Sequence, residues 1–179
     1  MTGVGNVYGE ALYTLARDEG LSATILEQLK ALDDSFRQEP DFLRLLSAPN
    51  LPKAERCRIL DDSFRGRIEP YILNFLKILT EKGYARHFGD CCKAYRSLYN
   101  QDNGILVVTA VTAVPLIGQQ RAALTEKLNR ITGKHVELEN KLDPAVLGGE
   151  RLDYDGKRVD DTVSHRLDAV RNMLNNTVL

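Results

Sequence analysis

His87 and Cys91 stand four residues apart in a stretch with helical periodicity. That spacing stacks two side chains on one helix face and suits a thiolate-imidazole pair or two ligands of a metal ion. No third or fourth ligand follows locally, and His135 and His165 have no cysteine near them in sequence. Such cysteines read more simply as small packed hydrophobes or as thiols on a helix surface. Gly148-Gly149 invites comparison with a phosphate cradle, but the Lys-Ser/Thr of a P-loop does not follow and no Gly-x-Gly-x-x-Gly fingerprint is present. Asp153 and Asp155 open like a calcium loop, yet Lys157 takes the next ligand position and no Glu stands twelfth. Asp160-Asp161 fits a helix start, where carboxylates meet free amides and oppose the dipole. The expectation is a chain with no catalytic residues, no metal and no cofactor.

The elements that would position these residues are bounded by size and composition. A chain of 179 residues, 43% hydrophobic, allows one large domain or two small ones with real cores. Charge nearly cancels in each part, with 14 basic against 15 acidic residues through Gly104 and 10 against 10 beyond it. Neither part is a basic surface for nucleic acid. The longest apolar run, Ile105 to Val114, is half of what a bilayer span needs, so no membrane insertion is expected. Met1 to Asn6 lacks the pattern of a secretory signal or an Arg-rich transit peptide, which favours a bacterial source. Three cysteines, two of them adjacent, argue for a reducing compartment.

Through residue 103 the pattern is helical. Tyr8, Ala11, Leu12, Leu15 and Ala16 follow the spacing of one helix face, stopped near Gly20. A second helix, N-capped by Ser22, aligns Ile25, Leu29, Leu32 and Phe36. Pro40-Asp41 opens a short third helix through Leu46. After Pro49-Asn50-Leu51-Pro52, a fourth carries Cys57, Leu60 and Phe64 to Arg65-Gly66. The fifth is read as Ile68 to Thr80, and the sixth from about Tyr84 to Asp102, ended by a left-handed cap at Asn103-Gly104.

At Ile105 the sequence turns β-branched, and Pro115 ends the strand. A helix from about Gly118 to Thr132 points Leu124, Leu128 and Ile131 inward. Val136, Leu138 and Leu142 then alternate with polar residues as in a strand covered on one face. Asp155-Gly156 between short β-like runs is a strong hairpin signal. The chain closes with a helix from about Thr162 that aligns Val163, Leu167, Val170 and Leu174. The fold class expected is mainly α: a six-helix bundle over residues 1–104, then a small α+β domain over residues 105–179 in the order β-α-β-β-β-α.

The fifth helix carries a surplus. One apolar stripe, Ile68, Ile72, Phe75, Leu76 and Leu79, would satisfy a helix on the outside of a bundle, yet Tyr71, Leu73 and Ile78 add apolar surface elsewhere on its circumference. Either this is the central helix of the bundle, or part of the surplus lines a groove, shared with the first helix, for a partner's amphipathic helix. Tyr8 and Tyr71 suit the rim of such a groove.

The run Tyr8-Gly9-Glu10-Ala11-Leu12-Tyr13-Thr14-Leu15-Ala16 resembles the Tyr-Ala-x-Ala-Leu-Phe-x-x-Ala opening of the delta subunit family of F-type ATP synthases, called the oligomycin-sensitivity-conferring protein in mitochondria. Similar text recurs at Phe75 to Gly83 and at Thr112 to Leu116. It is most specific in Asp143-Pro144, Gly148-Gly149, Gly156 and Asp160-Asp161-Thr162-Val163 through Leu167, where Thr162 replaces the family's usual Ser. The resemblance covers essentially the whole chain. It implies a non-enzymatic stator subunit that links the catalytic head to the peripheral stalk and resists rotor torque, on the cytoplasmic face of a bacterial inner membrane.

The partners it implies are the N-terminal helices of alpha subunits and the C-terminal ends of b subunits. Carried onto this chain, the alpha-binding positions are Tyr8, Ala11, Leu12, Leu15, Asn74, Phe75, Ile78 and Leu79. The signature of the b-contacting domain is Asp143, Pro144, Leu147, Gly148, Gly149, Gly156, Asp160, Val163 and Leu167. The other function class consistent with the residues is a soluble adaptor that captures amphipathic helices in another assembly.

Overall fold

The computed structural model describes residues 3–48, 50–144, 146, 151–154 and 157–160. It is mainly helical, with a small mixed sheet of four strands, and divides into two compact units, Met1–Tyr99 and Asn100–Leu179. The expected C-terminal helix with Val163, Leu167, Val170 and Leu174 lies outside the described residues, as does the Asp155-Gly156 turn.

The helices are α1 (Gly3–Asp18), α2 (Ser22–Gln38), α3 (Pro40–Leu46), α4 (Lys53–Phe64), α5 (Pro70–Lys82) and α6 (Phe88–Asp102), with a 3₁₀ turn at Ala85–His87. On α2 the predicted stripe Ile25, Leu29, Leu32 and Phe36 is buried throughout. Phe36 is the hub of an aromatic cluster, its ring 5.5 Å from Phe42 of α3, 6.2 Å from Phe64 of α4 and 5.1 Å from Phe88 of α6. Ser22 does not cap α2. It is the first helical residue, and its carbonyl accepts the Tyr95 hydroxyl at 2.9 Å, tying α2 to α6.

The first helix is rotated from the face its hydrophobic pattern predicts. Its buried residues are Gly5, Gly9, Leu12, Tyr13 and Ala16, whereas Ala11 and Leu15 are exposed. The reason lies at Gly9, where an added Cβ would come within 2.6 Å of the Cys91 carbonyl oxygen and 2.7 Å of the Ala94 Cβ. Helix α6 therefore approaches the α1 backbone more closely than any side chain permits, and α1 must turn its glycines toward α6.

Helix α5 begins and ends later than the pattern suggested. Pro70 occupies its first turn, where a missing N–H costs nothing, and Ile68 precedes the helix. The Glu69 N–H donates to the Gln28 side chain at 2.8 Å, anchoring this end to α2. Gly83, at φ +78°, caps the other end, and the Tyr84 N–H returns to the Leu79 carbonyl at 2.7 Å. Helix α4 grips α5 from the side through Asp61, which meets the Lys77 ammonium at 2.7 Å and Arg65 at 3.1 Å. The hydrogen bond from Lys77, helped by Arg65, holds the Asp61 carboxyl below the ordinary carboxylate range.

In the second unit β1 (Ile105–Thr112) pairs in parallel with β2 (His135–Leu142) through the crossover helix α7 (Gly118–Thr132). β3 (Arg151–Tyr154) runs antiparallel to β1 and to β4 (Lys157–Asp160), giving the order β2-β1-β3-β4. Leu106, Val108, Ala110, Val136 and Leu138 form the core, with Leu124 and Leu128 of α7 packed on it. Ile131, predicted inward, is 70% exposed and is one of the residues, with Leu128, Leu152, Tyr154 and Val159, that line an apolar cavity of about 450 Å³. Leu142, also expected inside, is 51% exposed. The apolar face of β2 ends at Asn140, whose amide binds the loop after β1 instead of facing the core. Asp160, read as part of a helix start, instead closes β4 opposite Arg151.

Two changes test this packing. Gly9→Ala must displace α6 or strain α1, and is expected to cost ~1–3 kcal/mol in urea unfolding followed by far-UV circular dichroism. An unchanged midpoint would show that the two helices do not meet there. Because the Asp61 carboxyl is depressed, its stabilisation is complete above its unfolded-state pKa of about 4 and is lost as pH falls through the lower folded value. Asp61→Asn is therefore expected to lower Tm at pH 7, with the gap from the parent protein closing in scans taken toward pH 3. A gap independent of pH would contradict the ion pair.

Candidate docking groove on the first unit

Helices α1 and α5 lie antiparallel, joined at both ends. At one end Glu19, just past α1, lies beside Tyr71 at the start of α5, its negative charge being the first cause of the raised pKa of that phenol. At the other the Tyr8 ring meets that of Tyr84, just past α5, with centroids 5.9 Å apart. Counting ~1.5 Å of rise per residue from the Glu19–Tyr71 contact, Leu15 and Asn74 come level first, then Ala11 and Ile78, and Tyr8 reaches Tyr84. Tyr8, Ala11 and Leu15 share one side of α1 at spacings of three and four, as Tyr71, Asn74 and Ile78 do on α5.

The eight positions carried over by resemblance fall into two layers. Leu12, Phe75 and Leu79 are buried in the bundle core, so they form the floor and offer little surface. Ala11 and Asn74 are exposed, Tyr8 is half-buried, and Leu15 and Ile78 stand out as large apolar side chains 41% and 46% exposed. Of the three surplus residues on α5, the bundle takes Leu73, only 8% exposed. Tyr71 is half-buried at the rim, and Ile78 faces outward. Helix α5 is thus enclosed on most of its circumference and open along one strip.

The residues considered for chemistry are placed otherwise. His87 ends the 3₁₀ turn, its ring 6.2 Å from Tyr84, while Cys91 lies buried on α6. Burial, with Asp90 adding to it, pushes the Cys91 thiol up to about 11, and burial followed by Asp33 raises Cys92. Both sulfurs are therefore protonated and poor ligands at neutral pH. Among the described residues no group of three or more His, Cys, Asp or Glu side chains is placed to hold a metal ion. Asp153 is bound by Arg158 at 2.8 Å and Arg151 at 3.5 Å, cations where calcium would need oxygens. Arg158, its register partner across the hairpin, is the first cause of its lowered pKa.

On the second unit Asp143 and Pro144 follow directly on β2, and the Asp143 N–H donates to the Thr112 carbonyl at 3.0 Å. Leu147, Gly148, Gly149, Gly156, Val163 and Leu167 lie outside the described residues. Sequence reasoning missed Asn140. Its amide nitrogen donates to the Ala110 carbonyl and the Thr112 hydroxyl, both at 2.9 Å, and its oxygen accepts the Leu116 N–H at 3.0 Å. This clamp fixes a loop that carries Val114 and Ile117, both well exposed, at the end of the sheet where Leu142 also emerges. A lone Asn on the apolar side of a strand was the available signal.

Comparisons with known proteins agree on one family. The family profile described as ATP synthase delta (OSCP) subunit matches residues 4–174. The ATP synthase subunit delta of Clostridium kluyveri is 30% identical over 167 residues, covering 93% of this chain and 92% of that protein. The subunit delta of Alkaliphilus oremlandii is 30% identical over 171 residues, covering 96% and 95%. A chain in the mitochondrial ATP synthase hexamer of Toxoplasma gondii shares the fold with a TM-score of 0.75 at 17% identity, over 97% of this chain and 98% of that one.

Proposed function

This chain belongs to the ATP synthase delta (OSCP) subunit family, and from that premise we propose that the strip between α1 and α5 is where it holds the N-terminal helices of alpha subunits. As a member of the family it is a non-catalytic, peripheral-stalk subunit of the synthase stator. Among the described residues no helix is long and apolar enough to cross a membrane. In our reading residues 1–104 act as a six-helix docking module and residues 105–179 as a β-α-β-β-β-α module for the C-terminal ends of b subunits, on the cytoplasmic face of a bacterial inner membrane.

The observation that carries the proposal is the placement of Leu15 and Ile78, both exposed, on facing sides of two antiparallel helices already joined at each end. An amphipathic helix laid between them would contact Tyr8, Ala11, Leu15, Asn74 and Ile78 over a floor of Leu12, Phe75 and Leu79. A buried face of a few hundred Å² at ~25 cal/mol/Å² gives several kcal/mol before association costs. When the rotor turns inside the head, such a contact transmits torque into a stalk that cannot turn. For the b-subunit ends, support comes from Asp143 and Pro144, which stand at the same end of the sheet as the clamped loop with Val114 and Ile117.

Ile78→Asp places a charge in the strip without opening the core. It is expected to leave Tm nearly unchanged and to weaken binding of a synthetic alpha N-terminal helix by several kcal/mol, on the order of a hundredfold or more in Kd, by titration calorimetry. A folded Ile78→Asp protein with unaltered affinity would remove this site.

A further inference from the structure

The groove is electrically uneven along its length. On α1 the stripe Leu15 is followed four residues later by Glu19, and on α5 the stripe Ile78 is followed four residues later by Lys82. A step of four keeps each charge on the same helix side as the apolar residue before it. Because the helices are antiparallel, the two charges come at opposite ends. Glu19 stands at the Tyr71 end, where it is the first cause of the raised Tyr71 pKa and Glu69 adds to it, and Asp18 there is exposed beside Arg17 at 3.6 Å. Lys82 stands at the Tyr84 end, where Arg86 is exposed on the 3₁₀ turn.

The neighbouring charges do not erase this gradient. Glu10 lies on the far side of α1 from Tyr8 and Leu15 by helical spacing. Glu81 accepts the Cys57 thiol of α4 at 3.8 Å, and Lys77 is held by Asp61, so both look toward α4. What faces the strip is an acid at one end and a base at the other.

Resting on the docking reading above, we infer that the groove fixes the direction of its occupant, an amphipathic helix whose basic end lies over Glu19 and Tyr71 and whose acidic end lies over Lys82 and Arg86. Full side-chain charges outweigh the half-charges of helix ends, so side-chain pattern decides the direction. Helices favour acids in the first turn and bases in the last. An occupant of that ordinary pattern therefore runs parallel to α1 and antiparallel to α5. Electrostatic complementarity of this kind sets register and association rate more than affinity, and it fades with salt.

The test uses the full chain and two synthetic peptides: the alpha subunit's N-terminal helix, and the same peptide with its acidic and basic ends interchanged but its apolar stripe kept. With the parent protein, the native peptide is expected to bind in one direction and the interchanged one in the opposite direction, each with its basic end over Glu19, a preference that weakens in high salt. The Glu19→Lys, Lys82→Glu protein should reverse that preference. A spin label on the basic end of the native peptide should broaden the Tyr71 and Glu19 amide signals and spare that of Tyr84. Broadening at Tyr84 instead, or a preference untouched by the double reversal, would overturn the inference. Ile78→Asp separates the levels: if it abolishes binding while direction proves indifferent to charge, the groove stands and its polarity falls; if binding survives, both fall.

Discussion

Helix α5 carries more apolar surface than its neighbours in the first unit can cover, and the rest of the account depends on how that excess is divided. Ile72, Leu73, Phe75, Leu76 and Leu79 are sealed in the core. Burial of five large side chains from one helix, each worth roughly 1.5–3 kcal/mol, fixes its rotation about its own axis. Once that rotation is set, Ile78 has no inward position left. Its exposure follows from core packing, and Asn74, one turn earlier, is exposed on the same side.

The supports around α5 keep this arrangement rigid. Gln28 satisfies the amide of Glu69 at the helix start, Gly83 turns the chain at its end, and Asp61 binds Lys77 from α4. On the other wall α1 is held by close approach to α6 at Gly9, which turns Leu12, Tyr13 and Ala16 inward and leaves Ala11 and Leu15 outside. A protein that must resist torque benefits from walls set by core packing and caps, since a docked helix then loses little to ordering its host.

Much of this was legible in residue spacing. The α2 stripe Ile25, Leu29, Leu32 and Phe36 repeats every three or four residues and is buried as the period requires, and glycine and proline marked the boundaries near Pro40, Gly104 and Gly133, whereas Pro70 and Gly83 were passed over as the ends of α5. The rotation of α1 was not legible, because hydrophobic patterns weigh side chains and this helix packs through their absence at Gly5 and Gly9. Tyr13 was lost to the same error. Ile131 and Leu142 were misplaced because periodicity says which side of an element is apolar and not how far along it a cover extends. Leu73 went the other way, its burial set by how many helices surround α5. The parallel pairing of β1 with β2 is a long-range choice to which strand-like runs alone are indifferent. The exposed strip was legible as a surplus on the fifth helix shared with the first, and the family resemblance named the individual positions.

The most direct measurement is amide hydrogen exchange across the chain with and without the alpha N-terminal peptide. Slowed exchange confined to α1 and α5, centred on the turns that carry Leu15 and Ile78 and absent from the four strands, is the result this account predicts. Protection centred on the second unit, or on the α2, α3 and α4 side of the bundle with α1 and α5 unaffected, would contradict it.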